Sequence, residues 1–142
     1  MPEVRFHESA EDASLKFAVV VARYQGKWVF CKHRERATYE CPGGHREKNE
    51  HIEDTARREL WEETGAIDFC LKQVCAYSVV RAGQEESFGM LYYADIFAFE
   101  ALPALEIEKI ELFESLPDQW TYPLIQPKLL ERVRRMGFFE EA

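Results

Sequence analysis

Gly44-His45-Arg46-Glu47-Lys48-Asn49-Glu50-His51-Ile52-Glu53-Asp54-Thr55-Ala56-Arg57-Arg58-Glu59-Leu60-Trp61-Glu62-Glu63-Thr64-Gly65-Ala66 is the stretch from which the rest of this chain can be read. Glu59, Glu62 and Glu63 are related by i+3 and i+4, so a helix places them on one face. Thr55 and Arg58 extend that face backward. Ile52, Ala56 and Leu60 lie on another face and are free to bury it against a sheet. Residues 49–51 lead into this helix, which runs to about Thr64, and Gly65 suits a left-handed C-cap.

Three carboxylates on one face repel. At roughly 6 Å and an effective dielectric near 20, a charged pair costs about 3 kcal/mol. A fully wet face lowers that to a few tenths of a kcal/mol per pair. A hard divalent cation is the other resolution: Mg²⁺ accepts a few carboxylate oxygens, keeps several waters and bridges to phosphates. The complete pattern decides between them. Seven positions are constrained, and with a usage of about 6% each, a chance match in a chain this long is roughly one in a few million.

These residues resemble the Nudix box, G-x5-E-x7-R-E-U-x-E-E-x-G-U, where U is a bulky aliphatic. The resemblance runs through every position from 44 to 66, and Pro42-Gly43-Gly44 supplies the Pro-Gly-Gly that commonly precedes the box. Ala66 departs from the usual aliphatic, and Ile67 follows it directly. The resemblance implies a hydrolase of nucleoside diphosphate linkages that uses Mg²⁺ or Mn²⁺. Carried over by position, Glu59, Glu62 and Glu63 would hold the metals, with the Gly43 carbonyl as a further ligand. Glu50 would bind metal or order its waters. Arg58 would orient the carboxylates rather than touch substrate, as a positioning group does. Its planar fork holds two oxygens at once, which Lys does not reproduce.

The chemistry follows from charge. Metal ions neutralise a diphosphate and acidify a bound water. A carboxylate then takes the proton. That base is either a box glutamate or one from a later acidic segment. Residues 100–118 hold six acids against Lys109, a net of −5, and the box holds seven acids and four bases, a net of −3. Together these make up the whole −8 of the chain. Glu106 and Glu108 are the preferred candidates, because they immediately precede Ile110-Glu111-Leu112-Phe113, a short strand expected at the sheet edge.

An acidic chain is a poor partner for a DNA duplex, which calls for a basic footprint. It does not exclude a nucleotide carried by a cation. Local bases exist in Lys32, His33, Arg34 and Arg36, and in His45, Arg46 and Lys48. His33 and Arg34 are the preferred phosphate contacts. Trp28, Phe88, Trp120 and Tyr122 are candidates for stacking on a base. Trp120 and Tyr122 lead, since their loop precedes the last helix.

The chain has 142 residues, of which 46% are hydrophobic, enough for a single domain over 1–142. The longest apolar run, 17–22, is too short for a bilayer, and the N-terminus lacks an apolar signal core. The expectation is a cytoplasmic protein, monomer or homodimer, without membrane contact. Cys31, Cys41, Cys70 and Cys75 form no C-x-x-C pair, and Cys41, His33, His45 and His51 match no standard zinc spacing.

Strands are expected near 4–6, over 15–24 and 27–33 with a Gln25-Gly26 turn, and over 67–81 and 86–99. Tyr39-Glu40-Cys41 reads as a short extended piece broken by Pro42-Gly43-Gly44. A second helix is expected over 126–136, with Pro127 in its first turn. Pattern alone supports α/β or α+β. The resemblance implies the α/β/α Nudix sandwich, a mixed sheet between helices. It is also similar to small MutT-like enzymes that clear oxidised nucleoside triphosphates such as 8-oxo-dGTP, yielding the monophosphate and pyrophosphate. A base-reading asparagine is not evident, Asn49 being the only one. The alternatives are an RNA 5′-pyrophosphohydrolase acting on a 5′-triphosphorylated end, and a non-catalytic nucleotide sensor on the same scaffold.

Overall fold

The chain alternates between period-2 and period-3.6 patterning, and the computed structural model, which describes residues 1–139, follows that alternation closely. The strands are β1 (Glu3–His7), β2 (Leu15–Tyr24), β3 (Lys27–His33), β4 (Gly43–His45), β5 (Ala66–Val80), β6 (Ser87–Phe99) and β7 (Ile107–Phe113). The helices are α1 (Ile52–Thr64) and α2 (Gln126–Arg135). The sheet order is β1-β5-β6-β2-β3-β7, with β4 also paired to β2. Among the named strands of the described residues, β2 and β6 run parallel and the other pairs are antiparallel, so the sheet is mixed.

Each face of the sheet buries one helix. Ile52, Ala56 and Leu60 of α1 pack with Ala18, Val20, Ala76, Tyr92 and Ile96. Ile125 and, from α2, Leu129, Leu130 and Val133 pack with Val21, Phe30, Tyr77, Leu91 and Tyr93. The result is the expected α/β/α sandwich. No helix among the described residues is long and apolar enough to cross a membrane.

Two turns depend on backbone freedom. Gln25 and Gly26 both have positive φ, 51° and 77°, as a two-residue hairpin between β2 and β3 requires. Gly65 caps α1 at φ 79° and bonds back to the Trp61 carbonyl at 2.8 Å. A Cβ there would lie 2.6 Å from the Glu100 carbonyl oxygen. Gly65→Ala is therefore expected to cost about 1–3 kcal/mol. Urea unfolding measures this, and a midpoint shift too small for 0.5 kcal/mol, on the order of ordinary surface substitutions, would refute the strain.

One expectation needs correction. Pro42-Gly43-Gly44 does not break the chain out of the sheet. Gly43, Gly44 and His45 form β4, opposite Val19, Ala18 and Phe17 of β2. β3 pairs with β2 only at Ala22, Arg23 and Tyr24, leaving the first half of that edge for β4. The entry is tight. A Cβ on Gly43 would stand 2.5 Å from the Ala18 carbonyl oxygen, so only glycine fits.

Candidate active site

α1 lies across β4, and this crossing gathers the box side chains. Gly43 N–H donates to Glu63 Oε1 at 2.8 Å. A Cβ on Gly44 would fall inside 3.0 Å of the Glu59 carboxylate, so that carboxylate occupies the space a side chain would take. Glu63 is only 9% exposed. Glu59, Glu62 and Glu63 line a recess of about 240 Å³ with Leu105, Glu106 and Ile107. The three box acids and Glu106 are thus brought together.

Arg58 organises the rim. Its Nε and Nη2 donate to the two oxygens of Glu50 at 2.8 and 3.0 Å. Its Nη1 reaches Glu59 Oε1 at 2.7 Å and Glu62 Oε2 at 3.2 Å. Nη2 also donates to the His45 carbonyl at 3.0 Å. Glu50 is fully engaged, since Thr55 Oγ1 and the Glu47 N–H also donate to it, at 2.7 and 3.1 Å. It stands outside the recess, against a hollow formed by Arg46 to His51.

The electrostatics divide these acids. Arg58 beside Glu50 holds its carboxyl down to about 2. Burial pushes Glu59 up to about 7, against the pull of Arg58. Burial pushes Glu63 up to about 8, with the Gly43 N–H opposing and Glu59 reinforcing the rise. Two desolvated carboxyls in an all-oxygen pocket suit a hard divalent cation, which would replace their protons. The donor set contains no thiolate or imidazole, so a soft metal does not fit. Among the described residues no three metal-ligating side chains already stand at holding distance. Arg58 draws Glu59 and Glu62 toward itself, while Glu63 turns to the Gly43 N–H.

The positions chosen outside the box separate. Glu106 faces the recess, and its carboxylate lies 3.9 Å from His33 Nε2. Glu108 instead pairs with Lys32 Nζ at 2.9 Å and does not line the recess. Arg34 is anchored to the same loop, by its Nε to the Leu105 carbonyl at 2.8 Å and its N–H to the Glu106 carbonyl at 3.0 Å. Trp120 turns inward, edge-on to Phe30 at 5.2 Å, and lines neither hollow. Trp28 is likewise taken up, by Arg23 and Phe139.

Tyr122 lines a second, larger cleft of about 330 Å³, with Phe17, Glu40, Gly43, Gly44 and Gln126 among its walls. Gln126 is 5% exposed, and its Oε1 accepts the Cys41 N–H at 2.7 Å, which leaves its NH₂ to donate. Sequence reading missed Gln126. The available signal was an amide at the first position of an amphipathic helix, just after the aromatic loop.

Known proteins resemble this chain in sequence and in fold. A family model for the NUDIX domain matches residues 14–113. A Bacillus subtilis (strain 168) protein named "Putative 8-oxo-dGTP diphosphatase YtkD" is 36% identical over 118 residues, 82% of this chain and 73% of that protein. The crystal structure of the Bacillus subtilis pyrophosphohydrolase BsRppH superimposes with a TM-score of 0.82 at 29% identity, over 98% of this chain and 93% of that one. The NUDIX domain of Shewanella oneidensis NrtR, solved with ADP ribose, shares the fold at a TM-score of 0.67 and 16% identity, over 87% of this chain and 88% of that one. Nudix enzymes generally use divalent metal ions. With the family match spanning most of the chain, and the carboxylates of its box meeting a paired-glycine strand, this protein belongs to the NUDIX family and is a Nudix hydrolase.

Proposed function

We propose that this enzyme uses Mg²⁺ or Mn²⁺ to cleave the diphosphate linkage of nucleoside triphosphates, 8-oxo-dGTP foremost, releasing a nucleoside monophosphate and pyrophosphate. One observation carries the reading: the half-buried Glu59 and the buried Glu63, both with raised pKa, line one recess with Glu62 of the same helix and with Glu106 from the segment before β7. When bound there, the metal neutralises phosphate charge and makes water nucleophilic near neutral pH. The chain supplies the rest. Glu59, Glu62 and Glu63 offer oxygens once deprotonated. Arg58 keeps Glu59 and Glu62 oriented. Glu106, on the opposite wall, takes the proton of the attacking water, and Arg34 steadies its loop.

The larger cleft is the proposed seat of the base. Gly43 and Gly44 line it, and the same two glycines touch Glu63 and Glu59, so base and diphosphate fall on either side of one strand. Tyr122 and Phe17 offer apolar faces. Gln126 offers its NH₂ to a base carbonyl. Gln126→Ala is expected to raise KM for 8-oxo-dGTP about tenfold, on the order of one neutral hydrogen bond, with kcat little changed. Initial rates test this, and an unmoved KM would remove Gln126 from recognition.

The similarity to YtkD favours an oxidised nucleotide. The similarity to BsRppH, over nearly the whole chain, supports a second reading, RNA 5′-pyrophosphohydrolysis. Product release from a panel separates them: (d)NTPs, oxidised and methylated forms, ADP-ribose, dinucleoside polyphosphates and 5′-triphosphorylated RNA, each with Mg²⁺ and with Mn²⁺. Tight binding with no product at any metal concentration would point to a sensor. The reading includes a cytoplasmic location, consistent with four free cysteines.

A further inference from the structure

β5 is fifteen residues long, yet β1 pairs with it only from Ala76 to Val80. Toward its start, β5 is paired on one side alone, by β6. Among the described residues no strand covers the other side from Ala66 to Cys75, and residues 67–75 make no backbone hydrogen bond outside their own ladders. A row of unpaired N–H and C=O groups is a template for another strand. This end of the hairpin is also unusually apolar. After Met1, Phe97 and Ile67 are the most exposed large hydrophobic residues described, at 59% and 54%.

We propose that this free edge of β5 pairs antiparallel with the same edge of a second copy, about a twofold axis through Cys70. A closed dimer of this kind is self-complementary, since residue i meets j and j meets i. With the axis at Cys70, residue i stands opposite residue 140 − i. Asp68 of each copy then faces Lys72 of the other, and Phe69 faces Leu71. Opposite charges directly across a ladder are favourable, and like charges are not. Centring on Asp68 or on Lys72 would set like charges face to face. Neither side chain has an ion-pair partner among the described residues of its own chain. Lysine on an open edge ordinarily discourages pairing. Here the aspartate four residues earlier on the same strand answers it.

The axis also sets two Cys70 residues opposite each other. Cα atoms in directly opposed antiparallel pairs lie about 4.5–5.5 Å apart, within the range a disulfide spans. Cys70 is exposed, while Cys31, Cys41 and Cys75 are buried, so it is a selective reporter of the interface.

Sedimentation of the full chain at high micromolar concentration tests the proposal. The expected mass is twice the 16.7 kDa of one chain. Lys72→Asp should return it to the single-chain mass, and Asp68→Lys combined with Lys72→Asp should restore the doubled mass. The restoration distinguishes broken pairing from a misfolded variant. Mild copper-phenanthroline oxidation should give a covalent dimer that Cys70→Ser abolishes while leaving the doubled mass in place. A single-chain mass throughout, or a dimer indifferent to Lys72→Asp and without a Cys70 cross-link, overturns the inference.

Discussion

Glu63→Gln is expected to lower kcat by about 10²–10⁴-fold at saturating Mg²⁺, the range that loss of a group handling charge and protons commonly produces. The side chain keeps its shape and its place beside the Gly43 N–H, so folding should be preserved. What disappears is the negative oxygen on the most buried of the three box acids. Steady-state rates against a metal titration measure the effect. Turnover within a few-fold of the parent would remove the carboxylate recess from the reaction.

The same variant has an opposite signature in metal-free stability. Burial raises the Glu63 carboxyl from 4.5 to about 8 in the folded state. Below pH 4.5 it is protonated in both states and favours neither. As pH rises from there toward 8, the unfolded chain releases the proton first, so folding loses stability through that window. The loss is on the order of 4 kcal/mol at its end. Glutamine carries no such charge, so Glu63→Gln should match the parent near pH 4.5 and exceed it near pH 9 without metal. Divalent cations should restore the parent at high pH, and their affinity should climb with pH until it levels above about 8, with protons released on binding. Thermal melts with and without Mg²⁺, together with calorimetry in two buffers, read all three effects. A metal affinity that does not change across this window would contradict the assignment.

Arg58→Ala should produce the largest stability loss in the box. Its guanidinium joins Glu50, Glu59 and Glu62 and the His45 carbonyl, with 22% of its side chain exposed. Removing it leaves Glu50 and Glu59 uncompensated at 13% and 12% side-chain exposure, a loss of about 3 kcal/mol. Activity should fall about 10–100-fold through misplaced ligating oxygens. Arg58→Lys keeps the charge but not the two-pronged hold on Glu50, so it should recover only part of each. The acid dependence has a definite sign. Arg58 depresses Glu50 to about 2, so the stabilisation is complete above 4.5 and is lost as pH falls through 2. The Glu50 part of the Arg58→Ala deficit should accordingly be constant from pH 6 to 8 and vanish only in strong acid, while the Glu59 part grows as that carboxyl ionises through about 7. Urea unfolding at several pH values tests it, and a deficit below 1 kcal/mol, on the order of an ordinary surface ion pair, would show that Arg58 is not needed to hold the box together.

The dependence on residues far apart in sequence separates what could be read in advance from what could not. The grouping of Arg58, Glu59, Glu62 and Glu63 on one face was legible because helix geometry places them together with little outside help. β2 and β3 were legible to the residue, because Gln25-Gly26 closes an uninterrupted β-rich run. Glu106 and Glu108 were not separable. They are two apart, which alone would put them on one side of a strand. A register shift between Lys32 and His33, opposite Lys109 and Ile107, divides them, sending Glu108 to Lys32 and leaving Glu106 at the recess. A bulge of that kind depends on the partner strand.

The amino-acid order by itself determined a mixed α and β chain and the carboxylate face of α1, because these follow from short-range periodicity; the family and its α/β/α sandwich were implied by the resemblance of residues 44–66 to the Nudix box. The tertiary structure alone decided that Gly43-Gly44 is a strand wedged against β2, that Glu50 serves Arg58 outside the recess, that Trp120 packs inward while Tyr122 and Gln126 border a cleft, and that the edge of β5 stays open. Each of these is a matter of which backbone lies next to which. Pairing partners, register and desolvation arise only when distant segments meet, and no local pattern encodes them.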